Sequence, residues 1–135
     1  MKMAATVAGA HTVGAPDGGS GVPVTGWSRE HGDLRVPHFV GLHAVQLLPA
    51  IVWLTAPFGP AVRRRRAVFV AAAAYVALFA ILLAQALGGQ PLLAPQGSIA
   101  LALAAWVAAV LAGSCFVAAA RKRTDADALP MMVSR

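Results

Sequence analysis

The stretch Arg63–Leu87, RRRRAVFVAAAAYVALFAILLAQAL, decides the class of fold. From Ala67 to Leu87 it carries no charge, and Tyr75 and Gln85 are its only strongly polar side chains. A helix needs roughly 20 apolar residues to cross the hydrocarbon of a bilayer, and this run has that length. The four arginines stand directly ahead of it, where the positive-inside rule places cations on the cytoplasmic side of a span. Ala73, Ala77, Ala80 and Ala84 recur at helical spacing, a small-residue stripe that lets another helix approach closely.

Gly88-Gly89-Gln90-Pro91 ends this second span, and the connection to Gly97 is short, so the next helix is an antiparallel neighbour. That third span is predicted over about Ser98–Ala120. It carries Ala105, Ala109 and Gly113 at four-residue spacing, Trp106 in mid-span, and Ser114 and Cys115 near a second basic block, Arg121-Lys122-Arg123. The charged and polar tail, Arg121–Arg135, is expected to fray. Upstream, a first span is predicted over about Phe39–Ala56, at the short end of the spanning range. Pro37 fits the first turn of a helix. Pro49 lies inside the span and predicts a kink, and Pro57-Phe58-Gly59-Pro60 stops it.

Composition agrees with this reading. The chain has 135 residues, room for one domain, with 59% hydrophobic and 12% charged residues. Soluble domains average roughly 45–50% and about 25%. Mean hydropathy is +0.70. The net charge of +6 sits largely in the two basic blocks beside spans. No stacking aromatics are interleaved with them, so nucleic acid is not the implied partner. One cysteine, Cys115, excludes an internal disulfide framework, and nothing beside it would stabilise a thiolate. There is no internal repeat, no phosphate-binding glycine loop after a strand, and no Cys/His array with zinc spacing.

Residues 1–37 form a Gly/Pro-rich, loop-like lead-in. Met1–Ala10 is too short and too weakly apolar for a cleaved signal peptide. Ala15-Pro16-Asp17-Gly18-Gly19-Ser20-Gly21 is turn chemistry. Trp27 and the patch Arg29-Glu30-His31-Gly32-Asp33-Leu34-Arg35 suit the headgroup layer. The sharper alternative, an acid–base site made of Glu30, His31 and Asp33, lacks anything in the sequence to fix its geometry.

The first span alone brings several polar groups into apolar sequence. At about 100° per residue, His43, Gln46, Ala50 and Trp53 share one side of the helix, and His38 lies about 140° away from His43. One helix therefore does not aim both imidazoles at one small ion, and no metal site is assigned. The plainest reading has His43 and Gln46 hydrogen-bonding between helices, with His38 at the interface. His43 lies roughly 7 Å deeper than His38 at 1.5 Å per residue. The alternatives are His43, or less favourably His38, as a haem ligand, and a proton or small-solute path. Gln85 is the other polar intramembrane candidate.

Three runs carry a resemblance: Ala10-His11-Thr12-Val13-Gly14-Ala15-Pro16-Asp17-Gly18-Gly19, Val24-Thr25-Gly26-Trp27-Ser28, and Gly32-Asp33-Leu34-Arg35-Val36-Pro37-His38-Phe39-Val40-Gly41-Leu42-His43-Ala44-Val45-Gln46. With Gly89-Gln90-Pro91-Leu92 and Ala94-Pro95, they make the chain similar to a family of uncharacterised bacterial polytopic integral membrane proteins. Its members are longer, with further spans upstream, and this chain resembles their C-terminal half. Arg29-Glu30-His31 departs from the Thr/Gly-rich stretch expected there, which argues against a special role for His31. The resemblance implies a location and a fold and carries no activity.

The expectation is an all-α membrane helical bundle, with three transmembrane helices over 38–120 and the polar lead-in ahead of them. It is placed in the bacterial inner membrane, N-terminus outside and C-terminus cytoplasmic. Its partners are the lipid bilayer and other transmembrane helices or a second copy. An accessory or structural role is favoured over an enzyme, with no cofactor required, and a redox or transport component using His43 is the alternative.

Overall fold

The computed structural model describes residues 11–18, 20–55 and 61–133, and the side chains at 55, 62, 63 and beyond 115 are not among those described. The leader-like start at Met1–Ala10 and the stop at Pro57-Phe58-Gly59-Pro60 lie outside the described residues. The chain divides into two units, Met1–Leu103 and Ala104–Arg135.

The fold is helical, with β1 (Thr12–Val13), β2 (Gly32–Asp33), α1 (Arg35–Thr55), α2 (Ala61–Leu87) and α3 (Gly97–Val133) in order. All three helices hold a stretch long and apolar enough to cross a membrane: Arg35–Leu54, Arg64–Leu87 and Gly97–Cys115. Only 11% and 6% of the first two windows is buried. Large side chains such as Leu42, Val45, Trp53, Phe69, Val70 and Val76 face outward. Water would oppose so much exposed apolar surface, whereas lipid solvates it. The chain spans a membrane.

α1 starts at Arg35, ahead of the predicted Phe39. The His38 amide donates to the Leu34 carbonyl at 3.2 Å, and the Asp33 carboxylate accepts from the free Arg35 amide at 2.9 Å. Together they add a turn before the apolar run. Pro37 falls in that turn, which needs no amide donor from it. α2 begins at Ala61, so the arginine block is part of the helix rather than a loop before it. α3 continues to Val133 through the tail expected to fray.

Within the first unit, α1 and α2 pack along matching sides. Val36, Pro37, Gly41, Ala44, Leu48 and Ile51 make the covered or half-covered stripe of α1. Gly41 lies where an added methyl would come within 3.1 Å of the Phe79 ring, so the missing side chain lets the helices close. The Tyr75 hydroxyl donates to the Val40 carbonyl. Tyr75, Phe79, Leu82 and Ala86 recur at helical spacing on this side of α2. The stripe Ala73, Ala77, Ala80 and Ala84 faces about 180° away and is exposed.

The described part of the lead-in, from His11 on, is folded where the sequence reads as loop-like. β1 and β2 pair antiparallel, Thr12 opposite Asp33 and Val13 opposite Gly32, and the Leu34 amide donates to the His11 carbonyl at 2.9 Å. Between them a second turn closes with Gly21 bridging Ser28 and the Val22 amide donating to the Trp27 carbonyl at 2.8 Å. Among the described residues, Asp33, Val36, Pro37, Leu82, Gln85 and Ala86 are the buried side chains. The core therefore sits where this small cap meets the start of α1 and the end of α2.

Candidate functional site

The cap is organised by Asp33 and Arg35. Asp33 is 4% exposed. Its carboxylate accepts from the Ser28 amide at 2.8 Å, the Arg35 amide at 2.9 Å and the Arg35 guanidinium at 2.7–3.2 Å. The guanidinium also donates to the Gly26 carbonyl at 2.7 Å, tying the second turn to the first helix. Burial pushes the Asp33 carboxyl up, but the hydrogen bonds from Arg35 and the Ser28 amide outweigh it and hold the group below the ordinary carboxylate range.

Beside this pair lies a polar cavity of about 350 Å³, bounded among others by His11, Asp17, Ser28, Glu30, His31 and Arg35. Most of its polar groups are already engaged. Asp17 accepts from the Thr12 amide at 2.8 Å and the His11 amide at 2.9 Å. Hydrogen bonds from Thr12 and His11 push its carboxyl down to about 2. Glu30 accepts from the Ser20 hydroxyl at 3.0 Å. The His31 amide donates to the Ser28 hydroxyl oxygen at 3.1 Å. Glu30 and His31 both line the cavity, but Asp33 is committed to Arg35, so the three do not form one acid–base constellation. Among the described residues no three His, Cys, Asp or Glu side chains converge as a metal site.

The second collection of polar groups is the outer side of α1. Relative to the stripe packed on α2, Phe39, His43, Gln46, Ala50 and Trp53 lie about 120–200° around the helix. Trp27 from the cap meets Phe39 edge-on at 5.5 Å between centroids. Phe39 in turn lies 3.9 Å from the His43 ring. His43 Nδ1 is 2.8 Å from the Phe39 carbonyl oxygen. A carbonyl only accepts, so Nδ1 carries a proton, and in the neutral ring Nε2 is then the lone-pair nitrogen. The partner of His43 is its own helix. Gln46 is exposed, and its side-chain amide has no hydrogen-bond partner among the described residues. His38 is also exposed and lies on a different side, about 140° from His43.

Gln85 has a different place. It is 2% exposed, at the end of α2 beneath the cap. Its Nε2 donates to the Pro91 carbonyl at 2.7 Å and to the Leu92 carbonyl at 3.3 Å. Gln90 Oε1 then accepts from the Gln96 amide at 2.8 Å, so two glutamines hold the connection into α3. Comparison with protein families, with curated proteins and with solved structures finds no match to this chain.

Sequence reasoning read Asp33 only within the headgroup patch or an acid–base site, read Tyr75 only as a polar residue of the second span, and passed over the packing role of Gly32. A signal existed for the first two. Asp33 stands two residues before an arginine and just ahead of a helix, and Tyr75 is the only hydroxyl-bearing side chain in a span of aliphatics and phenylalanines.

Proposed function

We propose that the chain is an accessory or structural component of the bacterial inner membrane rather than an enzyme. It lies with its cap outside and its C-terminus in the cytoplasm, and packs the outer side of α1 against a further transmembrane helix. The observation that carries this is the place of Gln46. An amide with no partner among the described residues sits on the side of α1 turned away from α2, in a segment that crosses hydrocarbon. A lipid-facing amide cannot be hydrogen-bonded there, and a neighbouring helix is the usual remedy. A second copy of the chain, or further spans of the kind found in the resembling family, would supply it. In mild detergent the full chain is expected to run as an oligomer or with a co-purifying membrane partner. Gln46→Leu should weaken that association by about threefold, the equivalent of an average interhelical hydrogen bond. A monodisperse wild-type monomer by light scattering would remove this reading.

The orientation follows from the arginines at the start of α2 and the basic block after the third span, both on the cytoplasmic side if the N-terminus is outside. In a Cys115→Ser background, Ser20→Cys is expected to react with an impermeant maleimide in intact spheroplasts. Ala61→Cys should react only after permeabilisation. The reverse pattern inverts the topology.

A second reading, a redox or proton-handling component, is supported by His43. Its Nδ1 is anchored on a backbone carbonyl while Nε2 is left as a lone-pair donor, the arrangement that orients a haem-ligating imidazole. A purified sample with a Soret band that His43→Ala abolishes would favour haem. A colourless sample from haem-replete cells excludes it.

A further inference from the structure

We propose that Arg64, Arg65 and Arg66 form a collar that selects anionic phospholipids, whose phosphate charge no headgroup cation offsets. The three residues are helical, inside α2 (Ala61–Leu87), and none of their side chains has an ion pair or hydrogen bond among the described residues. Arg65 and Arg66 are exposed and Arg64 is half-buried. Successive residues leave a helix at about 100° steps, so the three guanidinium groups fan over about 200° of its circumference. An acidic protein surface or a nucleic acid would engage one face of the helix. A shell of lipid headgroups engages all of it.

Depth supports the same occupant. The apolar stretch Arg64–Leu87 has 24 residues, about 36 Å of helix at 1.5 Å per residue. The hydrocarbon layer is about 30 Å thick. With the Leu87 end held under the cap, the surplus carries the arginines out of the hydrocarbon to the level of the phosphates. Their local electrostatics also call for anions. The first turn of α2 contains no acidic residue, so the cations stand at the positive end of the helix dipole, where they repel it and each other. Phosphate oxygens relieve both, and guanidinium groups meet them with paired N–H donors. The collar acts in whichever leaflet holds it, so the inference does not depend on the orientation proposed above.

The test uses the full chain reconstituted in mixed vesicles of phosphatidylglycerol and phosphatidylcholine, with spin-labelled forms of each lipid reporting which is retained next to the protein. Wild type is expected to prefer phosphatidylglycerol several-fold, up to about fivefold for each arginine–phosphate contact. The preference should shrink at high salt. Arg64→Gln/Arg65→Gln/Arg66→Gln should bring it close to no preference. If that triple variant does not insert, Arg65→Gln and Arg66→Gln separately should each lower the preference part-way. Inorganic phosphate should compete no better than sodium chloride of equal ionic strength. Equal retention of the two lipids by wild type, or a preference that the arginine variants keep, would overturn the proposal. Specific competition by inorganic phosphate would overturn it too, by making the collar a site for a free anion.

Discussion

Gly32→Ala is expected to unseat the cap from the end of α2 and to expose it to protease. Gly32 sits in β2, where a Cβ would run into the Ala86 carbonyl oxygen and come within 2.9 Å of both the Ala86 carbonyl carbon and the Gly89 Cα. All of these are backbone atoms, so no side chain can turn aside to make room. The cap must lift, or the last turn of α2 must distort. Overpacking of this kind costs about 1–3 kcal/mol. The buried cluster of Val36, Leu82, Gln85 and Ala86 depends on the same approach, which argues for the upper part of that range. Tryptic cleavage after the exposed Arg29 reports the opening directly. It should accelerate by roughly tenfold or more when closing is fast relative to cutting. Gly113→Ala is the control, since nothing lies within 4 Å of the methyl it adds. Equal cleavage rates for the two variants would show that the cap is not seated on α2 through Gly32.

The spans were legible because hydropathy and helical length are properties of a segment by itself. Ala67–Leu87 is uncharged and apolar apart from Tyr75 and Gln85, and no distant contact is needed to make it a helix. The ends of the helices were less legible, because they depend on who satisfies the terminal amides. α1 gains its first turn from Asp33 and Leu34, which in sequence look like the tail of a loop. The cap was hidden for a related reason. Its strands are two residues each, too short for any alternation to show, and its order comes from side chains bonding to backbone over gaps of several residues. Asp17 reaching the His11 and Thr12 amides is one case, and Asp33 reaching that of Ser28 is another.

The polar candidates divide along the same line. That His43 and Gln46 share a side of α1 apart from His38 follows from helical geometry alone. That the side is turned away from α2 does not, because it depends on Val40 and Gly41 meeting Tyr75 and Phe79 of α2, a matter of shape between two helices. Gln85 reads in sequence as one more polar residue within a span. Its burial under the cap and its hold on the Pro91 and Leu92 carbonyls required the fold.

Asp33→Ala is expected to cost on the order of 3 kcal/mol at neutral pH, and to remove part of the cap's sensitivity to acid. The carboxylate receives two backbone amides and a guanidinium. Alanine would strand the Ser28 and Arg35 amides and leave Arg35 tied to the second turn only through the Gly26 carbonyl. Hydrogen bonds to a charged group are worth about 1.5–3 kcal/mol each, and the water-accessible part of Arg35 recovers some of the loss. The pH dependence has a definite sign. The folded carboxyl titrates below its ordinary value of 3.8, so below that value the unfolded cap binds more protons than the folded one. The contribution of Asp33 is therefore complete above pH 3.8 and is lost as pH falls through its lower folded value. Asp17 follows the same course, between 3.8 and about 2. Trp27 fluorescence reports the transition, because that indole leaves Phe39 when the cap opens. Wild type should lose the cap as the pH falls below about 4 and towards 2, in the range where both carboxylates protonate. Asp33→Ala should open more readily in denaturant at pH 7, with a shallower dependence on acid that Asp17 alone sustains. Equal midpoints for wild type and Asp33→Ala at pH 7 would mean that the Asp33–Arg35 pair does not hold the cap.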